Sequence, residues 1–253
     1  MSEALGFRFT WYGHACIHVE SEAGTTILFD PWLDNPRSPI SADDIVACDV
    51  MLVTHGHFDH LGAEPGKPAE GDPIRIARRT KPVWPAMHEL SLWLGSIDDL
   101  GASVVGMNKG GTFDARGVQV SFVHADHSSG DWDEEARVPM YFGEPVGIVV
   151  ELENGRRIYH AGDTALFGDM RLIGELYAPD VAFLPIGGHF TMDPVAAAHA
   201  VRLLGVKTVV PIHYGTFPIL AGTPAELRDA MRGLALDDVV VLAPEPGESV
   251  SSR

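Results

Sequence analysis

Cysteine is scarce in this sequence: Cys16 and Cys48 are the only two among 253 residues. Two thiols cannot make a disulfide framework, and a chain of this length can bury a core without one. Basic side chains are also few. Eighteen Lys and Arg stand against 35 Asp and Glu, a formal charge of −17. So acidic a surface argues against a non-specific binder of nucleic acid or of an anionic membrane, since both functions need a basic footprint. No apolar run approaches the ~18–20 residues of a membrane-spanning helix. Residues 1–10 hold no basic segment followed by a long apolar one, so no signal peptide is expected. These absences together predict a cytoplasmic protein with a small-molecule substrate and with no nucleic-acid or membrane partner. A homo-oligomer is compatible with the composition and is not derivable from it.

Hydrophobic residues make up 45% of the chain and charged residues 21%, which are globular values and exclude disorder despite the charge. Short β-rich apolar runs recur at Phe7–Trp11, Cys16–Glu20, Thr26–Phe29, Val50–Thr54, Val118–Val123, Gly147–Leu152, Ile158–His160, Val181–Ile186, Thr208–Ile212 and Val239–Leu242. Helix signals fall later. Met87–Leu94 reads as a helix, with Leu90 and Leu94 on one face. Asp193-Pro194 is an N-cap followed by proline, opening a helix that runs through Leu204 and stops at Gly205. Thr223-Pro224 repeats the signal before Ala225–Leu234. Hairpins followed by alternating strand and helix predict an α/β fold of two sheets packed face to face with helices outside. No linker divides the chain, so residues 1–253 are expected to form one domain. Gly62–Pro73 reads as a mobile loop and Asp131–Met140 as a second, irregular acidic loop.

Against these scarcities stand twelve histidines. The sharpest grouping is Thr54-His55-Gly56-His57-Phe58-Asp59-His60, directly after the apolar run Val50–Val53. In extended chain, His55 and His57 point the same way, while Asp59 and His60 lie past a turn and can address a second ion. Imidazole with carboxylate suits zinc, manganese or iron. Three more candidates, His127, Asp163 and His213, also sit just past predicted strand ends, where rigid elements hold converging side chains. The pattern gives His55, His57 and His127 to one ion, Asp59, His60 and His213 to another, and Asp163 to both. His124, three residues before His127, competes for the same place.

On these motifs the sequence resembles the metallo-β-lactamase superfamily, whose signature is H-x-H-x-D-H. Gly13-His14-Ala15, Leu28-Phe29-Asp30-Pro31, Thr54–Gly62, His127-Ser128-Ser129, Tyr159–Thr164, Phe167-Gly168-Asp169-Met170, Leu184–Met192 and Pro211–Pro218 extend the likeness to a branch of metal-dependent hydrolases related to L-ascorbate-6-phosphate lactonase. The resemblance implies a four-layer αββα sandwich with the metal site at one edge between the sheets. It implies His127 over His124 as third histidine, through the His-Ser-Ser context, and Asp163 as bridging carboxylate. His124 then becomes a wall or outer residue. Asp30 is expected to orient a ligand imidazole. His189 could face the substrate as proton donor or oxyanion stabiliser, or anchor its loop. His14, in a glycine-flanked turn, is a further neighbour of the cleft. His18, His88, His160 and His199 are expected to be ordinary core or surface residues.

Two divalent cations ~3.5–4 Å apart can hold a bridging hydroxide at neutral pH. The expected activity is therefore dinuclear hydrolysis of a small ester, lactone or phosphoester, with two divalent ions as cofactors, zinc first and manganese or iron as alternatives. Asp59 would orient the nucleophile as well as bind metal. Neither cysteine occupies a ligand position, which argues against antibiotic hydrolysis. A non-haem iron oxidoreductase and a catalytically silent metal-binding protein are the competing readings. Flavin-linked di-iron relatives usually carry Glu where this chain has His57, and a silent protein has no need of a full ligand set.

Overall fold

A computed structural model of the chain describes residues 5–133 and 136–251. The strands are β1 (Phe7–Trp11), β2 (Ile17–Ser21), β3 (Thr26–Phe29), β4 (Val50–Leu52), β5 (Val83–Met87), β6 (Ser103–Met107), β7 (Thr112–Ala115), β8 (Val118–His124), β9 (Asp131–Asp133), β10 (Val138–Met140), β11 (Val146–Glu151), β12 (Arg157–His160), β13 (Val181–Pro185), β14 (Thr208–Ile212), β15 (Val240–Val241) and β16 (Ser249–Ser251). The helices are α1 (Phe58–Leu61), α2 (Asp72–Thr80), α3 (His88–Leu94), α4 (Met170–Tyr177), α5 (Pro194–Leu204) and α6 (Pro224–Gly233).

One sheet runs β16–β1–β2–β3–β4–β5–β6 and the other β15–β14–β13–β12–β11–β8–β7. Both are mixed. β1, β2 and β3 are antiparallel neighbours, while β3 to β6 run parallel. β7, β8, β11 and β12 are antiparallel, and β12 to β15 parallel. The central strands are apolar throughout because both their faces are covered. β13 (Val-Ala-Phe-Leu-Pro) is buried at every position. Between the sheets Phe9 meets Phe183 edge-on at 5.2 Å, and Phe29 stacks on His160 at 5.0 Å. A second cluster joins the outer face of β12, β13 and β14 to α4, α5 and α6. α3 packs against β5 and β6 on the far side of the first sheet. The result is the four-layer α/β sandwich.

The predicted starts of α5 and α6 are present. The Asp193 carboxylate accepts from Ala196 N at 2.8 Å, and α5 ends on left-handed Gly205. Thr223 and Glu226 close a capping box ahead of α6.

Other expectations need correction. Gly62–Pro73 is not all loop. It contains a 3-10 turn at Pro68–Glu70 and the first turn of α2, in which Pro73 occupies an early helical position. Proline there starts a helix rather than breaking one. Asp131–Met140 is not irregular in its described part, since β9 and β10 pair as a hairpin. Residues 134–135 lie outside the described residues. The strand expected through Thr54 ends at Leu52. α4 matches no helix expected from the sequence, and it carries Gly174 in its interior. A Cβ at Gly174 would sit 2.3 Å from the Leu204 carbonyl oxygen, so glycine is what lets α4 approach the end of α5.

Candidate metal centre

Strand ends from both sheets meet at one edge. The segment after β4 supplies His55 and His57, and α1 supplies Asp59 and His60. The turn between β1 and β2 supplies His14. From the second sheet come His127 after β8, Asp163 after β12 and His213 after β14. Three sets of side chains each bring ligand atoms within 4.8 Å of one another: His55, His57 and His127; His55, His60 and Asp163; and His14, Asp59, His60 and His213.

The distances within the cluster are short. His55 Nε2 lies 2.9 Å from His57 Nδ1. Asp163 Oδ1 is 3.3 Å from His60 Nε2. Asp163 Oδ2 is 3.1 Å from His213 Nε2 and 3.6 Å from His127 Nε2. Asp163 thus stands between the two trios expected from the sequence. Gly162 makes this placement possible. Its φ is +60°, and a Cβ there would fall 2.7 Å from the Thr54 Cβ.

Asp30, buried and at φ +43°, organises the other half. Its Oδ1 accepts from Thr54 N at 2.7 Å, and its Oδ2 accepts from the Thr54 hydroxyl and from His60 Nδ1, both at 2.8 Å. These bonds fix tautomers, because a carboxylate only accepts. His60 therefore carries a proton on Nδ1, and Nε2 is the nitrogen it turns into the cluster, a lone pair whenever the ring is neutral. The Thr54 hydroxyl, having donated to Asp30, accepts from His55 Nδ1 at 3.1 Å, so His55 Nε2 is a lone pair as well.

The electrostatics ask for positive charge. Burial works against ionising any of these imidazoles, and it drives His55 well down and His57 to about 4. Burial also opposes charge on His213 and His60, but Asp163 overrides it in both, with Asp30 assisting at His60. His213 is held at about 9, and His60 well above its ordinary value. Burial works to raise Asp59 and Asp163 too. Their imidazole neighbours outweigh it and hold both well below the usual carboxylate range.

Seven buried side-chain polar atoms among the described residues lack a hydrogen-bond partner, and four are here: His60 Nε2, Asp163 Oδ1, and both ring nitrogens of His213. Such atoms are costly when left unpaired. Converging lone pairs, ionised carboxylates and orphaned nitrogens fit a cation, and nitrogen with oxygen donors suits a divalent metal of the zinc, manganese or iron group.

A family model described as the Beta-lactamase superfamily domain matches residues 25–214. The chain belongs to the metallo-β-lactamase superfamily. Within that superfamily it is 46% identical over 248 residues to a UPF0173 metal-dependent hydrolase of Rubrobacter xylanophilus, covering 98% of this chain and 97% of that one. A UPF0173 metal-dependent hydrolase of Myxococcus xanthus is 44% identical over 242 residues, covering 96% of this chain and 82% of the relative. Among solved structures, Igni18, a metallo hydrolase from the archaeon Ignicoccus hospitalis, superimposes with a TM-score of 0.82 at 37% identity, covering 98% of both chains. This superfamily member is accordingly a UPF0173 metal-dependent hydrolase. The matched span includes every residue from Asp30 to His213 named above, and it leaves out His14.

The remaining histidines divide clearly. His124, at the end of β8, is exposed, lies 3.3 Å from Lys109 Nζ and meets the Phe167 ring, outside all three sets. His189 is exposed at φ +60° beside Phe190, also outside them. His160 is a buried core residue bonded to the Ala15 carbonyl and to Gly162 N. Thr54, Thr216 and Ser129 were not anticipated. The Thr216 hydroxyl touches His14 Nδ1 at 3.0 Å, and Ser129 Oγ accepts from Gly56 N at 3.1 Å. The first contact spans 202 positions and the second 73, so no local pattern could signal either.

Proposed function

We propose that this metal-dependent hydrolase is dinuclear and acts on a small ester, lactone or phosphoester. The observation that carries the reading is the position of Asp163, whose two oxygens face ligand nitrogens of both trios. His55, His57 and His127 would hold one divalent ion, zinc first with manganese or iron as alternatives. Asp59, His60 and His213 would hold the other, and Asp163 would serve both. Ions so held supply a Lewis acid and an activated water at neutral pH. Asp59, with its side chain 14% exposed, can accept a hydrogen bond from the attacking water. Asp30 and Thr54 keep His60 and His55 in the ligating tautomer throughout. His189, exposed after β13, is the proposed proton donor or oxyanion contact on the substrate side.

The substrate is proposed to be a small molecule and the site of action the cytoplasm. Among the described residues no helix is long and apolar enough to cross a membrane. The charge of −17 disfavours nucleic acid as substrate, whereas the local positive charge demanded by the pocket accepts a small anion.

The test is elemental analysis of protein purified without added metal, followed on the same sample by a lactone, ester and phosphodiester panel and an oxygen electrode. Two metals per chain with hydrolysis is the expected result. Metal-loaded protein that consumes oxygen and hydrolyses nothing would sink it. Asp163→Ala should lose both the metal and the turnover.

A further inference from the structure

His14 lies outside the matched family span, yet it touches more of the proposed second ion group than any other outer residue. Its ring is fully buried. Nε2 lies 3.0 Å from Asp59 Oδ2, and Nδ1 lies 3.0 Å from the Thr216 hydroxyl. The ring packs 4.0 Å from that of His213, and its backbone carbonyl accepts from His213 N at 2.8 Å. The same carbonyl accepts from Trp11 Nε1 at 3.0 Å. Trp32 and Phe217 close the remaining sides at 5.1 and 6.1 Å.

We propose that His14 is a positioning residue: it fixes Asp59 and His213 for the second ion and ligates nothing itself. The inference rests on the two-ion reading given above. Its first support is proton accounting. The Asp59 carboxylate can only accept, so the proton between them belongs to His14 Nε2. A neutral imidazole carries one proton. Nδ1 is then a lone pair, and it accepts from the Thr216 hydroxyl. Both ring nitrogens are used, and none is left for a metal. His60 is the contrast, since it spends Nδ1–H on Asp30 and leaves Nε2 without a partner.

The second support is the backbone. His14 and His213 both adopt left-handed φ, +50° and +53°. This conformation is uncommon for residues other than glycine, although histidine enters it more readily than most, and it persists where the surroundings over-determine it. Here a backbone hydrogen bond joins the two strained residues directly. The Nδ1 of His213 has no partner among the described residues, so its ring is aimed by that backbone bond, by packing on His14 and by Asp163, whose Oδ2 lies 3.1 Å from Nε2. One side chain from the first sheet thereby sets a ligand from each sheet. Asp30 likewise sets two ligands, His60 and, through Thr54, His55, both from the first sheet.

The experiment uses cobalt(II) as probe. Full-length protein is stripped by chelator and reloaded, and cobalt per chain, affinity by chelator competition and the visible absorption spectrum are measured. The variants are His14→Ala, His14→Gln, Thr216→Val and Thr216→Ser. Glutamine can offer an amide N–H near the Nε2 position without an imidazole lone pair. The second cobalt should bind roughly 10- to 100-fold more weakly to His14→Ala, the usual cost of losing an outer partner of a ligand. The first cobalt should be retained. His14→Gln should recover most of the loss and at saturation give the wild-type spectrum. Thr216→Val should lose roughly 2- to 10-fold, the worth of one neutral hydrogen bond, and Thr216→Ser little.

Unfolding of the metal-free variants supplies the folding control, and Thr216→Val keeps the test available should His14→Ala not fold. Cobalt affinity in His14→Ala equal to wild type overturns the inference. So does a His14→Gln protein that fails like alanine with an altered spectrum, which would make His14 a ligand. A wild-type protein that takes up only one cobalt overturns the two-ion reading itself, and the inference with it.

Discussion

Asp30 makes five hydrogen bonds from one residue: its amide donates to Leu52 O at 2.9 Å, its carbonyl accepts from Trp32 N at 2.8 Å, and its carboxylate accepts from Thr54 N, the Thr54 hydroxyl and His60. Asparagine tolerates left-handed φ nearly as well as aspartate. Asp30→Asn should therefore keep the turn while breaking the acceptor pattern, because an amide NH2 facing His60 Nδ1–H sets donor against donor. We expect metal affinity to fall about 10- to 100-fold, read by elemental analysis after dialysis against a weak chelator. Asp30→Ala should in addition destabilise the fold by about 1–3 kcal/mol for each buried donor left unpaired, read by urea denaturation. Side chains within the H-x-H-x-D-H run and at the later strand ends could be named from their types and spacing. Thr54 and Thr216 could not. A hydroxyl has no distinctive spacing, and its role depends on which imidazole happens to lie beside it.

Each site residue leaves the end of an element, so the elements decide its aim. Ala161-Gly162-Asp163 follows β12 with no room to spare. Gly162→Ala would place a Cβ against Thr54 and force a non-glycine residue to φ +60°. The strain should cost about 1–3 kcal/mol, read by urea denaturation of metal-free protein, and the displaced Asp163 should lower metal content. Wild-type stability together with full metal content would show that the loop yields freely. Elements with strong local signals were legible: the Asp193-Pro194 and Thr223-Pro224 starts, and the apolar runs of β1, β3, β13 and β14. Elements whose signals conflict were not. α2 carries three arginines and an early proline, α4 carries a glycine needed by its neighbour, and β5 holds Pro85 inside a strand. In each, tertiary packing outweighs local propensity.

At the scale of the molecule, two sheets each supply half of the candidate centre. Ions bound there would stabilise the native state alone. At a concentration one hundred times Kd that is worth ~2.7 kcal/mol per site. For a domain of this size each kcal/mol moves Tm by ~2–4 °C. Removing metal with a chelator should accordingly lower Tm by about 5–10 °C for each site emptied, and adding it back should restore the original melt. An unchanged melting temperature would show that no ion binds the folded chain.

By itself the sequence determined the fold class, the superfamily and the group of histidines and aspartates at issue, because strand periodicity and a dense ligand motif are local properties of the chain. Tertiary structure decided the rest. It placed His127 in the cluster and turned His124 outward, buried His14 against Asp59 and His213, and set the tautomers through Asp30, Thr54 and Thr216. Those outcomes depend on contacts between segments far apart in the chain. Proton positions on buried imidazoles follow from the partner each nitrogen meets, and a partner 202 residues away is chosen only when the two sheets close.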